Sequence, residues 1–224
     1  MIRRDYILRM IEEFIRALAR IKELKQQQLW REAETSLEDQ ARSLTGADLA
    51  TICTLTDTEL LARLLQTGEF QAQSEKSFML ARILIEAAEV ADAEHHNTES
   101  QALRLKALHL LLHTSLRGEV YEWPEFVPAI DLLLQRFDRT QLPIHTQALL
   151  MQHFERTGQF AKAEDALHAM LEAAPDNPQL RELATSFYHR LLAQSDTALE
   201  DGNLPRNEVE AGLEQLGHPS RKTQ

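Results

Sequence analysis

Two histidines, His109 and His113, stand one helical turn apart in the stretch "LHLLLH". Imidazoles at i and i+4 face the same way on a helix and can offer two nitrogen ligands to one ion. A preceding antiparallel helix could add Glu86 or Glu89. The simpler account is that both histidines interrupt a Leu-rich helix and are held, half buried, by a carboxylate or a carbonyl. Neither an HExxH pattern nor a Glu-x-x-His carboxylate cluster accompanies them. No metal and no cofactor is therefore assigned. The pair stays the centre of an alternative reading, a metal-binding protein or an enzyme.

The other chemistry-bearing residues point to less. His95 and His96 fall in a turn beside Glu94 and read as solvated. Cys53, the one cysteine, has no His or Lys close in sequence and reads as a packed thiol. A single cysteine also leaves no intrachain disulfide and no Cys-rich zinc site. There is no Walker loop, no GxGxxG and no GxSxG. The sequence points away from an enzyme.

The spacing of apolar residues and the caps between them place these residues on or between helices. Gly and Pro number seven each in 224 residues, too few to punctuate many strands. Ile7, Met10, Ile11, Phe14, Ile15, Leu18 and Ile21 recur at helical spacing in the first segment. A second helix follows from about Gln28 to Gly46. Thr56 and Glu59 make a capping box, with Asp57 adding charge to the first turn and Gly68 stopping the helix. A long helix, the "HHN" turn and a returning helix ended by Gly118 come next. Pro124 is expected to open a helix that continues through "AIDLLLQRF", and Pro143 the one after it. Gly158 separates that helix from "FAKAEDALHAMLEAA". Pro178 starts a helix expected to run to about Leu199, and Gly202 and Pro205 precede a last one. The fold class is all-α, with about ten helices and no convincing strand. The expected organisation is one domain over 1–217, with an N-terminal hairpin and irregular segment over 1–75 and a helical array over 76–217. Residues 218–224 read as a disordered tail.

Charge narrows the partners. The net charge is −11. Residues 1–31 carry eight Lys/Arg against four Asp/Glu, so the remainder is at −15. An acidic body does not suit nucleic acid, which needs a continuous basic surface. No window of about 18 apolar residues could span a membrane. The charged N-terminus lacks the core of a signal peptide, so a cytoplasmic protein is expected. The amphipathic first helix could pack within the array, mediate a homodimer or lie on an anionic surface; packing is the simplest.

From Ile144 the chain resembles a tetratricopeptide repeat. Gly158, Phe160 and Ala163 follow that family's order at the start of a second helix, Leu150 and Phe154 take the places in the first, and Pro175 closes the unit. "FVPA" at 126–129 precedes "FAKA" at 160–163 by 34 residues, and "WREA" at 30–33 repeats the step. The family's Trp is Gln147 here and its small residue is Met151. "RRDYILRMIEEFIRALARI", with the later repeat, also resembles an uncharacterised bacterial family having a tetratricopeptide-like C-terminal part. These resemblances imply antiparallel helix hairpins stacked as a short solenoid. They also imply a non-enzymatic adaptor or scaffold that binds a peptide or helix in a concave groove. Its groove positions would be His145, Ala148, Gln152 and Glu155. With Glu155 there, a basic or mixed peptide is the expected guest. Tyr121, Trp123 and Phe126 around Pro124 could anchor a partner, or fill the space between helix pairs. A self-assembling structural protein is the remaining alternative.

Overall fold

The computed structural model describes residues 2–66, 70–117 and 123–217. Twelve α-helices and one short 3-10 turn make up its regular structure, and no strand occurs among the described residues. The chain groups into two compact units, Met1–Arg136 and Phe137–Gln224. The boundary expected at 75/76 lies inside a helix of the first unit, and the tail at 218–224 lies outside the described residues. None of the described helices is long and apolar enough to cross a membrane.

In the first unit the helices are α1 (Ile2–Gln26), α2 (Trp30–Thr45), α3 (Leu49–Thr54), α4 (Asp57–Gln66), α5 (Phe70–Ala93), α6 (Asn97–Leu116) and α7 (Ile130–Leu134). Its centre is the α5–α6 hairpin. Phe78 to Ala81 and Ile83 to Ile85 are all buried on α5, as are Ala107, Leu108 and Leu110 to Leu112 on α6. A helix apolar nearly all round belongs inside a protein. The α1–α2 hairpin lies against α5 and buries Phe14, Leu18, Ile21, Ala33, Leu37 and Ala41. Ile15, expected on the buried stripe, is 49% exposed. It sits about 100° around the helix from Phe14, and that turn carries it off the packed face.

Local chemistry sets the helix ends. Gly46 takes a left-handed φ of 72° and donates to the Arg42 carbonyl. Asp48 accepts from the Thr51 amide and starts α3, a helix absent from the sequence expectation. The Thr56–Glu59 capping box forms as expected: the Glu59 carboxylate accepts from the Thr56 amide at 2.8 Å, and the Glu59 amide donates to Thr56 Oγ1 at 3.3 Å. His95, with φ 65°, makes the α5–α6 turn. The stops expected at Gly68 and Gly118 lie outside the described residues.

The helix expected from Pro124 does not form. Residues 123–129 are irregular, with a turn at Glu125 and Phe126, and α7 begins at Ile130 and lasts five residues. Pro128 supplies the reason: it removes an amide and keeps Val127 out of helical backbone. "FVPA" is therefore not the start of a repeat helix, and the partial second repeat is lost with it.

In the second unit, α8 (Ile144–Arg156) and α9 (Phe160–Ala173) form the hairpin read from the repeat pattern. Gly158 turns the chain with φ 72°. Ala163, Leu150 and Phe154 are buried between the helices. Next come α10 (Pro178–Leu192), α11 (Asp196–Asp201) and α12 (Arg206–Gly217). The single helix expected to reach Leu199 is two, because Ser195 caps the Ala198 amide and starts α11 afresh. α10 begins 34 residues after α8 (178 against 144), as a repeat would require. The returning helix, however, stops after six residues, and α12 takes the place against α10.

Candidate functional site

Polar groups come together around Asp57 and over α5–α7 in the first unit, and on α8 in the second. The first is built on Asp57. The capping box fixes the start of α4 and sets this carboxylate against α6, where Lys106, His109 and His113 project from successive turns. His109 Nδ1 lies 3.0 Å from Asp57 Oδ2 and His113 Nε2 lies 3.2 Å from the same oxygen. Lys106 approaches the other oxygen, Oδ1, at 3.4 Å and donates to the Leu55 carbonyl at 2.6 Å. The side chains are largely enclosed, with exposures of 13% for Asp57, 11% for His109 and 25% for His113. The carboxylate facing this histidine pair thus comes from α4. Glu86 and Glu89 point elsewhere, to Lys25 of α1. Half-buried Cys53 lies near enough to Lys106 to feel its charge, but burial dominates and pushes the thiol above its ordinary value. The sequence separation of about fifty residues between Asp57 and the histidines hid this cluster from sequence reading.

The second place is a cleft of about 590 Å³ over α5, α6 and α7. Ile85, Pro128, Leu132 and Leu133 give it an apolar side, and Leu132 is 56% exposed. Arg82, Arg104 and Arg136 supply positive charge. Arg104 is buried and bound to Asp92 and Ser100, and its guanidinium holds the Asp92 carboxyl below the usual carboxylate range. Arg82 pairs with Glu86, a carboxylate 1% exposed that Lys25 also reaches. Its Nε is buried with no hydrogen-bond partner among the described residues. Arg136 stays exposed at the mouth.

The third is the expected groove face of α8. His145 and Gln152 are exposed and Ala148 is half buried. Glu155 is held by both ends of the Arg190 guanidinium from α10, at 2.6 and 2.8 Å. Its charge is neutralised within the unit. The linker aromatics divide. Trp123 packs edge-on against Phe78 with ring centroids 4.9 Å apart, and its indole N–H donates to the Pro128 carbonyl. Phe126 meets Phe14 at 5.2 Å. Both fill space between helices. Tyr121 lies outside the described residues.

Residues 1–219 match the model of a family described as a family of unknown function, DUF6483. No curated protein and no solved structure matches the chain.

Proposed function

The chain belongs to the DUF6483 family, and we propose that this member is a non-enzymatic protein-interaction module that seats a partner segment in the α5–α6–α7 cleft. The observation that carries the reading is the pairing of an exposed apolar wall, Leu132, with an exposed cation, Arg136, across a cavity large enough for a few side chains. Pockets of this volume are usual binding sites, and six of the ten residues that line this one are charged or polar. The cleft brings together Arg82, Arg104 and Arg136 against Glu89 and Asp92, a net positive lining on a chain of net charge −11. An apolar residue flanked by a carboxylate is the segment that suits it. Glu155 no longer argues for a basic guest, since Arg190 already meets it. The α8–α9 hairpin, and the 34-residue spacing of α8 and α10, support a tetratricopeptide-like origin for the second unit. The lone cysteine suits a cytoplasmic setting.

The test is site-specific photo-crosslinking in cells, with the reactive residue at 132 or at 152. The expected result is a discrete adduct from position 132 that Arg136→Glu abolishes. An adduct from position 152 alone, untouched by Arg136→Glu, would return the interface to α8. A second reading, a homodimer, has its own observation: Leu8 and Ile15, seven residues apart on α1, are both about half exposed. A monomeric mass in solution, unchanged in Leu8→Glu/Ile15→Glu, would remove it.

A further inference from the structure

We propose that the occupant of the α5–α6–α7 cleft is α1 of a second copy of this chain, so that two copies exchange their first helices. The inference rests on the cleft reading above and names its partner.

The cleft suits an apolar residue beside a carboxylate, and the outer face of α1 presents that pattern. Leu8, Glu12, Ile15 and Ala19 are all exposed. Steps of three or four residues put them in one stripe along the helix. Leu8 and Ile15 are 50% and 49% exposed and stand about 10 Å apart along the axis. The exposed groups of the cleft are their complements: Leu132 offers an apolar wall and Arg136 a cation. Charge narrows the match. The carboxylates that line the cleft are already met within the chain, Glu89 by Lys25 and Asp92 by Arg104. Neither the Glu12 carboxylate nor the Arg136 guanidinium has a hydrogen bond or ion pair among the described residues. Arg9 and Arg16 lie about 100° around the helix from Leu8 and Ile15, so they flank the stripe rather than enter the cleft. Lys25, near the end of α1, pairs with Glu89 of the cleft lining, so the two surfaces are neighbours on one unit. Neighbouring complementary surfaces can be exchanged about a two-fold axis, which closes the assembly at a dimer.

The experiment is sedimentation-velocity ultracentrifugation of the pure full chain over a concentration series, with circular dichroism checking that each variant folds. The expected result is a dimer at twice the chain mass. Arg136→Glu and Glu12→Arg should each weaken it about tenfold or more, as loss of an interfacial charge pair does, and Arg136→Glu/Glu12→Arg should restore it. Leu8→Glu/Ile15→Glu should weaken it as well. At concentrations where each is monomeric alone, Leu8→Glu/Ile15→Glu, which keeps its cleft, and Arg136→Glu, which keeps its α1, should form a mixed dimer. A pairing of like faces does not complement in this way. A monomeric mass for the unaltered chain, a dimer indifferent to Arg136→Glu, or variants that fail to complement would each overturn the proposal. Should Leu8→Glu/Ile15→Glu fail to fold, the charge swap between positions 12 and 136 decides the matter. A photo-reactive residue at position 132 keeps this failure apart from failure of the cleft reading. An adduct to α1 of another copy supports both. An adduct to a different protein, with the pure chain monomeric, overturns the second copy and leaves the cleft standing, whereas no adduct at all overturns both.

Discussion

Replacing Glu86 by Gln should destabilise the first unit by about 3 kcal/mol. The carboxylate is 1% exposed and lies between Arg82 of α5 and Lys25 of α1. Removing one partner of a buried ion pair costs about 3–5 kcal/mol, because the charge left behind is still desolvated. Two features place this case at the low end. Gln keeps the shape and one acceptor oxygen, and Lys25 keeps Glu89, which is half exposed. The burden falls on Arg82, 15% exposed and already lacking a partner for Nε among the described residues. If Met1–Arg136 melts as one cooperative unit of 136 residues, its unfolding entropy is about 0.29 kcal/mol/K at ~2.1 cal/mol/K per residue. The loss then corresponds to a Tm lower by roughly 10 °C. Urea denaturation and thermal melts followed by circular dichroism measure both quantities. Arg82→Met/Glu86→Gln removes the stranded cation with the acid and should recover at least about 1 kcal/mol of the loss, a coupling expected of residues in contact. A loss below about 1 kcal/mol in the single variant, or no recovery in the double, would show that the cluster is solvated and refute the reasoning.

The remaining predictions concern turns and titrating groups. Gly158→Ala should cost about 1–2 kcal/mol because φ is 72° although the space is open. Gly202→Ala should cost at least as much for a different reason: its Cβ would fall 2.7 Å from the Gly158 carbonyl and 2.3 Å from the Phe160 ring. Gly158→Asn, which tolerates left-handed backbone, should recover part of the first loss and separates the two mechanisms in equilibrium melts. Arg104 holds Asp92 below its ordinary 3.8, so the unfolded chain takes up that proton first as acid is added. Its stabilisation is whole above pH 3.8 and declines as pH falls through the lower folded value; Asp92→Asn should flatten that acid limb in pH-dependent melts. Burial, with Glu164 accepting from the hydroxyl at 2.8 Å, raises Tyr188 well above the usual phenol range. In alkaline spectrophotometric titration one of the three tyrosines should ionise last. Tyr188→Phe should remove that step, and its share of stability, present below the ordinary phenol value, is the part lost as pH rises.

The signals legible in the chain alone are local. Helical spacing of apolar residues placed α1, α2, α5, α6, α8 and α9, because burial of one face repeats every three to four residues whatever the neighbours are. The Thr56–Glu59 box and the Gly158 turn were legible for the same reason: each closes its hydrogen bonds or sets its backbone within a few residues. Pro128 and Ser195 were equally local signals, and they overrode the longer helices expected on either side of them. Helix packing chose the partners. The histidine pair was visible at four-residue spacing, but Asp57 reaches it across about fifty residues, because α4 happens to begin against α6. Glu86 and Glu89 were drawn away by Lys25, sixty residues earlier. Glu155 was claimed by Arg190 from α10. Spacing fixes which way a side chain faces; which charge it meets depends on how helices pack, and a single sequence carries no periodic signal for that.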